Sequence, residues 1–202
     1  MRFFCKPCLL VTCVLFLPLA NAQSTKRVPW DGSRMASSPI SALPLVTARA
    51  FANLKFRQPV EIRFNKTLNR FFVLELGGKL YSFPPDANVQ QADLAFELKA
   101  NIPGASQSFG FEFHPKFAEN RELFLCYVFQ PKHKDGTHVA RLKMPAVNGP
   151  PQVDPGSREV LITWLSGGHN GGSLNFGPDG MLYISSGDAE APYPPDGLKT
   201  GQ

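Results

Sequence analysis

The chain has 202 residues, of which 43% are hydrophobic and 18% are charged, and its formal net charge is +5. This composition is that of a globular protein, with less charge than the ~25% typical of soluble domains, and it excludes collagen-like, coiled-coil and disordered chains. The basic residues are scattered, with no Lys/Arg-rich run of the kind that binds phosphate backbones. We therefore expect one folded domain and no nucleic-acid partner.

Residues 1–22 have the three parts of a secretory signal peptide. Arg2 and Lys6 supply positive charge, residues 9–19 are apolar, and residues 20–22 (Ala-Asn-Ala) form a small-x-small cleavage site. The sequence thus predicts a secreted or periplasmic protein. A membrane anchor is the alternative, but the apolar run is shorter than the ~20 residues that a spanning helix needs. We therefore expect a protein that does not span a membrane.

Cysteine usage separates the predicted leader from the rest of the chain. Cys5, Cys8 and Cys13 lie in the leader, so Cys126 alone remains after cleavage and no internal disulfide can form. Cys126 lies in the apolar run Leu-Phe-Leu-Cys-Tyr-Val-Phe at residues 123–129. A cysteine in such a strand is typical of a small core side chain rather than of a reactive thiol.

Short β-rich runs dominate the chain from residue 51 to residue 202. Residues 23–50 are rich in Ser, Pro and Ala, and we interpret them as a linker or loosely packed arm. No segment after them has a 3.6-residue apolar period long enough for a helix, so the fold class is predicted to be all-β. The predicted strands span residues 60–64, 71–76, 79–83, 95–98, 109–113, 122–129, 138–143, 159–164, 173–176 and 181–185.

One unit recurs along these strands: an apolar-x-Phe strand end, a polar turn, and a strand of large apolar residues. Its phenylalanines are Phe64, Phe113 and Phe176, at intervals of roughly 50 to 60 residues. A period near 50 with about four strands per unit is typical of propeller blades. A β-sandwich with a coincidental pattern is the alternative. Six blades of roughly 40–50 residues need on the order of 250–300 residues, so we expect only part of such a ring here.

The glycine-rich segment 167–188 carries the strongest chemical signal. Residues 177–180 (Gly-Pro-Asp-Gly) predict a turn between two strands, so His169 before the first strand and Asp188 after the second should meet at one end. A carboxylate that orients an imidazole makes it a general base for a substrate hydroxyl. In the structural alternative, His169 caps a turn and Asp188 accepts hydrogen bonds from backbone N–H groups.

These residues resemble a known family. His-Asn-Gly-Gly-x-Leu-x-Phe-Gly-Pro-Asp-Gly-x-Leu-Tyr-Ile-x-x-Gly-Asp at residues 169–188 resembles the signature of the glucose/sorbosone dehydrogenases, quinoproteins that use pyrroloquinoline quinone (PQQ). Residues 110–117 (Gly-Phe-Glu-Phe-His-Pro-Lys-Phe) resemble the Gly-x-x-Phe-His-Pro-x-Phe element of the same family. The run from Pro59 to Leu80 resembles its opening blade.

The resemblance implies a six-bladed β-propeller, of which about the first half is present, with PQQ near the central axis. It assigns His169 as the base that takes the proton of a sugar hydroxyl, and Asp188 as its partner. Gln107, His169 and Asp188 are the expected cofactor contacts. Calcium at the cofactor is also implied, with its ligands expected beyond Gln202, so no metal ligand is assigned within this chain. The implied partners are a sugar substrate and an external electron acceptor such as a c-type cytochrome.

Two departures from the family pattern leave other functions open. Ser173 stands where the family often has Arg, and residues 105–109 (Ala-Ser-Gln-Ser-Phe) replace a strand that usually begins with an acidic or amide residue and two glycines. The alternative function is a non-catalytic propeller that binds a carbohydrate or protein ligand. A third possibility is a truncated, inactive product. His114, which precedes Pro115, is interpreted as a structural residue at a strand end.

Overall fold

The computed structural model describes residues 46–129 and 134–189, so the predicted leader and most of the predicted arm lie outside the described residues. The described residues from residue 47 onward belong to one unit, Thr47–Gln202. They contain ten strands and two single-turn helices. The elements are β1 (Pro59–Asn65), β2 (Arg70–Glu75), β3 (Lys79–Phe83), β4 (Asp93–Glu97), α1 (Leu98–Asn101), β5 (Gln107–Phe113), α2 (Phe117–Asn120), β6 (Glu122–Val128), β7 (Thr137–Lys143), β8 (Asp154–Trp164), β9 (Gly171–Phe176) and β10 (Leu182–Ser186).

The strands form antiparallel sheets whose spatial order follows the sequence. β1-β2-β3-β4 is the first blade, β5-β6-β7-β8 is the second blade, and β9-β10 is the third sheet. The three repeated phenylalanines lie at or one residue before the end of the first strand of each sheet and have equivalent positions in its first hairpin. Their Cα partners on the next strand are Phe71 for Phe64, Leu123 for Phe113 and Leu182 for Phe176. The predicted all-β fold and its repeat are therefore confirmed.

The sheets stack face to face, because their strands are apolar on both sides. In β2, Phe72 and Leu74 are fully buried in the core between the two blades, where they pack with Phe111 and Leu125. A second core joins the second blade to the third sheet. It comprises Phe124, Cys126, Val139 and Leu174, with Trp164, Phe176, Leu182 and Ile184 packed at its margin. The facing sides of neighbouring sheets are thus buried against each other, as in propeller blades.

The first strands β1, β5 and β9, here called the inner strands, lie side by side and run in the same direction. A Cβ at Gly110 of β5 would lie 2.4 Å from the carbonyl oxygen of Gly172 in β9. Two residues further along both strands, the Arg63 guanidinium of β1 donates to the Leu174 carbonyl at 2.9 Å and forms an ion pair with Glu112 at 3.1 Å. All three strands therefore begin at one end of the stack, here called the entry end.

Element boundaries differ from the prediction where polar residues join a strand. β8 begins at Asp154 rather than at residue 159, because the Lys143 backbone N–H donates to the Ser157 hydroxyl and keeps the two strands paired across a bulge. Two single-turn helices, α1 and α2, occur where no helix was predicted. Among the described residues, none of the helices is long and apolar enough to cross a bilayer.

Candidate functional site

The β9–β10 hairpin brings the two halves of the glycine-rich segment together. The Gly177 N–H donates to the Met181 carbonyl at 2.9 Å, and the Gly180 N–H donates to the Gly177 carbonyl at 3.0 Å. The Asp179 carboxylate accepts from the Met181 N–H at 3.0 Å and from the Tyr183 hydroxyl at 2.8 Å. These hydrogen bonds lower the pKa of Asp179, the Met181 N–H having the larger effect. The turn is therefore fixed at both its backbone and its carboxylate.

Three backbone hydrogen bonds join the segments that flank this hairpin at the entry end. The Gly168 N–H donates to the Ala189 carbonyl at 3.3 Å, the Ala189 N–H to the His169 carbonyl at 3.0 Å, and the Gly187 N–H to the Asn170 carbonyl at 3.1 Å. A Cβ at Gly187 would lie 2.0 Å from the His169 carbonyl oxygen, so a side chain has no room there. The glycine at this position is needed for close approach.

His169 and Asp188 are in contact, as the turn between their strands predicts. The Nδ1 atom of His169 lies 3.2 Å from Oδ1 of Asp188. The Asp188 side chain is 15% exposed, whereas the His169 side chain is 38% exposed and reaches solvent. A carboxylate at Nδ1 favours the tautomer that is protonated there, which places the lone pair on Nε2. The arrangement is thus capable of proton transfer at Nε2.

Asn170 fixes the loop that holds the histidine, and the sequence reasoning missed it. The residue is 7% exposed. Its Nδ2 donates to the Gly167 carbonyl at 2.8 Å, and its Oδ1 accepts from the Gly167 N–H at 2.7 Å. One amide side chain therefore satisfies both backbone groups of Gly167 and closes a loop around residue 169. The sequence contains a signal for this role, since an amide directly after the histidine in a glycine-rich loop can form hydrogen bonds to nearby backbone groups.

Gln107 is the first residue of β5, and its backbone pairs with Val128 of β6. It is exposed at the entry end, the end at which His169 precedes the neighbouring strand β9. Next to it, the Ser106 hydroxyl donates to the carbonyls of Val128 and Phe129 and so anchors the beginning of β5. The structure thus brings His169 and Asp188 into contact and places Gln107 on the same end of the stack.

The resemblance implies two bound groups, PQQ and calcium, and the described residues suit only the first. An imidazole and an amide at the entry end suit the polar edge of a quinone cofactor. For calcium they do not fit, since no group of three or more His, Cys, Asp or Glu side chains in the described part of the chain is placed to hold a metal ion. Cys126 can contact neither PQQ nor calcium, because its exposed fraction is 0% and burial raises the pKa of its thiol to about 12.

The other described histidines have structural contacts away from this pair. His114 lies at the opposite end of β5, where its Nδ1 accepts from the Lys116 N–H at 3.0 Å and its ring packs against Phe124 and Phe176. His138 lies 2.8 Å from the Asp135 carbonyl through Nε2. The interpretation of His114 as a strand-end residue agrees with these contacts.

Comparison with known proteins decides the family. The Glucose / Sorbosone dehydrogenase family model matches residues 56–201. The chain belongs to this family. The match includes both blades and the His169–Asp188 hairpin, so the resemblance inferred from the motif extends over most of the chain.

The proteins that this chain resembles have names that describe different functions. The Hedgehog-interacting proteins of Mus musculus and Homo sapiens are each 30% identical over 145 residues, which is 65% of this chain and 21% of theirs. A solved structure, the PQQ-bound form of aldose sugar dehydrogenase from Streptomyces coelicolor, matches with a TM-score of 0.54 at 18% identity. That match covers 67% of this chain and 39% of the dehydrogenase. This chain therefore spans about a fifth of the curated relatives and less than half of the structural neighbour, whose fold it shares as part of a β-propeller.

Proposed function

We propose that the chain carries the proton-transfer site of a PQQ-dependent sugar dehydrogenase. The observation that supports this most is the 3.2 Å contact between Nδ1 of His169 and Oδ1 of Asp188 at the entry end of the inner strands. Membership in the glucose/sorbosone dehydrogenase family supports the reaction class. The proposed protein is exported after loss of residues 1–22, and residues 23–50 link that leader to the propeller unit.

The chain's own residues would act on the hydroxyl of the sugar. His169 accepts the hydroxyl proton at Nε2, and Asp188 stabilises the imidazolium that forms and keeps the ring in place. When bound, PQQ would supply a quinone able to accept hydride from the carbon that bears this hydroxyl, which would convert the alcohol to a carbonyl compound. Gln107 would contact the cofactor from β5. Calcium at the cofactor, held by ligands outside the described residues, and an external electron acceptor such as a c-type cytochrome complete the proposal.

Two measurements test this function. The first is PQQ binding with and without calcium, and the second is sugar-dependent reduction of a dye, both on this chain and on any longer natural product that contains it. His169→Gln should lower the rate of dye reduction by about 10²–10⁴-fold, which is the contribution of a general base. Asp188→Asn should also lower this rate, since an amide at Nδ1 no longer selects the tautomer with its lone pair on Nε2.

His114→Gln is the matched control. It removes an imidazole at the opposite end of the inner strands and should leave dye reduction unchanged. If no form of the protein binds PQQ, or if His169→Gln reduces dye as fast as the unmodified protein, the enzymatic proposal is wrong.

A protein-binding propeller is the second candidate. It is favoured by one observation: the curated relatives, at 30% identity, are named for interaction with Hedgehog, whereas the dehydrogenase structure is 18% identical. The test is direct binding between this protein and a Hedgehog-type protein ligand immobilised on a sensor. Saturable binding together with absent PQQ binding would favour this candidate over the enzyme.

A further inference from the structure

A large polar cleft lies beside Gln107 at the entry end. It has a volume of about 990 Å³, at the upper limit of the ~300–1,000 Å³ of small-molecule sites. Four parts of the chain form its walls: the segment before β1, the β2–β3 turn, the junction of β4 with α1, and the beginning of β5. Neither the His169–Asp188 pair nor the motif that contains it forms part of this lining.

The charge of the cleft is positive, and its two carboxylates are already engaged. Glu75 is 8% exposed and accepts from the Arg57 backbone N–H at 2.5 Å. Glu97 lies 3.5 Å from the Lys79 ammonium. The lining side chains with a positive charge are Lys55, Arg57, Lys79 and Lys99.

Three of these cations are unmatched within the part of the chain that the structure describes. No described carboxylate lies within 4.0 Å of the Lys55, Arg57 or Lys99 side chains. Cations that share one cleft without counterions attract an anionic group, and Arg binds a carboxylate or sulfate through two parallel hydrogen bonds.

The rest of the lining suits a sugar. Phe56 and Tyr81 contribute two rings whose centroids lie 5.9 Å apart, which offer an apolar surface to the C–H face of a pyranose. Gln58 adds an amide donor and acceptor for hydroxyl groups. Aromatic surface, an amide and unmatched cations together describe a site for a saccharide that carries negative charge.

We propose that this cleft is a binding subsite for an anionic saccharide, with the carboxylate or sulfate group held by Arg57 and Lys99. The proposal rests on the proposed function, because the His169–Asp188 pair on the same end would act on a sugar. It extends that function by naming the substrate class: acidic rather than neutral sugars. Arg57 and Lys99 would then determine specificity without taking part in proton transfer.

The test is sugar binding to the full chain without cofactor, measured by calorimetry. The probes are glucuronate, glucose 6-sulfate and glucose, and the first two separate a carboxylate from a sulfate ligand. At least one anionic probe should bind about tenfold more tightly than glucose, a preference that added salt weakens. Arg57→Gln and Lys99→Gln should each reduce this preference severalfold and leave glucose binding unchanged.

Lys116→Gln is the matched control, because Lys116 is an exposed lysine at the opposite end of β5. Both cleft variants change exposed side chains, and the hydrogen bond from the Arg57 backbone to Glu75 remains, so the fold should be retained. Equal affinity for all three probes would overturn the proposal. So would variants that lose PQQ binding while anionic sugar binding is unchanged, since the cleft would then hold the cofactor. Loss of dye reduction in His169→Gln bears on the proposed reaction alone, so the two failures are distinguishable.

Discussion

Arg63 of β1 and Glu112 of β5 form an ion pair, with 3.1 Å between Nη1 and Oε2, across the boundary between the two blades. The same guanidinium donates through Nη2 to the Leu174 carbonyl and the Asn175 side chain of β9, both at 2.9 Å. Its Nε lies 3.2 Å from Glu61 at an ion-pair distance but without hydrogen-bond alignment. One side chain thus connects the inner strands of three sheets.

Arg63→Ala is expected to destabilise the fold by about 2–4 kcal/mol, because it leaves Glu112 partly buried without its cation and removes two hydrogen bonds to β9. Denaturant unfolding measures this change. Arg141→Ala is the matched control. Its ion pairs with Glu122 and Glu159 are at a more exposed position, where such pairs contribute about 0–1 kcal/mol. Similar losses for the two variants would contradict the connecting role of Arg63.

The stability of this ionic cluster should also depend on pH. Burial is the largest cause that raises the pKa of Glu112 above 4.5, and it outweighs the opposing effects of the Phe113 N–H and of Arg63. Burial raises the pKa of Glu61 in the same direction. A raised native pKa stabilises the protonated form, so this contribution is fully present below 4.5 and is lost as the pH rises through the native value.

Glu112→Gln should therefore flatten the decrease in unfolding free energy on the alkaline side of pH 4.5. Unfolding curves of both proteins between pH 4 and pH 7, at constant ionic strength, measure the difference. The exposed Glu119→Gln is the control, since its carboxylate is not part of the cluster. Parallel profiles for Glu112→Gln and the unmodified protein would contradict this assignment.

Local sequence pattern predicted the strands and the contact between His169 and Asp188, and it missed contacts between distant parts of the chain. His169 and Asp188 could be placed together because a tight turn fixes which residues of a hairpin are opposite each other. Arg63 lies 111 positions from Leu174 in sequence, and no periodicity within a strand specifies that contact. The cleft was missed for the same reason, since its cations come from three separate segments. The predicted start of β8 was wrong because Pro155 and Gly156, which lie within the strand, are residues that usually indicate a turn.

Asn170→Ala should loosen the loop that carries His169. The variant leaves the buried N–H and C=O of Gly167 without their amide partner, and an unsatisfied buried backbone group costs about 1–3 kcal/mol. Thermal unfolding measures the stability loss. The imidazole NMR signals of His169 should also shift, because the ring loses its fixed position beside Asp188.

Asn53→Ala is the control for the loss of an asparagine, because Asn53 is exposed and makes one 3.4 Å hydrogen bond to Val89. It should change neither the melting temperature nor the His169 signals. Asn170→Ala with unchanged His169 signals would show that the amide stabilises the loop without positioning the histidine.

Gly110→Ala should disrupt the contact between the second blade and the third sheet. The added Cβ would lie 2.4 Å from the Gly172 carbonyl oxygen, and since that atom belongs to the backbone, the strands must separate. Overpacking of this kind costs about 1–3 kcal/mol, and the loss is measured by denaturant unfolding. Gly77→Ala is the matched control, because nothing lies within 4 Å of a Cβ at that position. Because β5 begins at Gln107 and His169 lies just before β9, a stable Gly110→Ala variant with unchanged His169 NMR signals would contradict the close packing of these two strands.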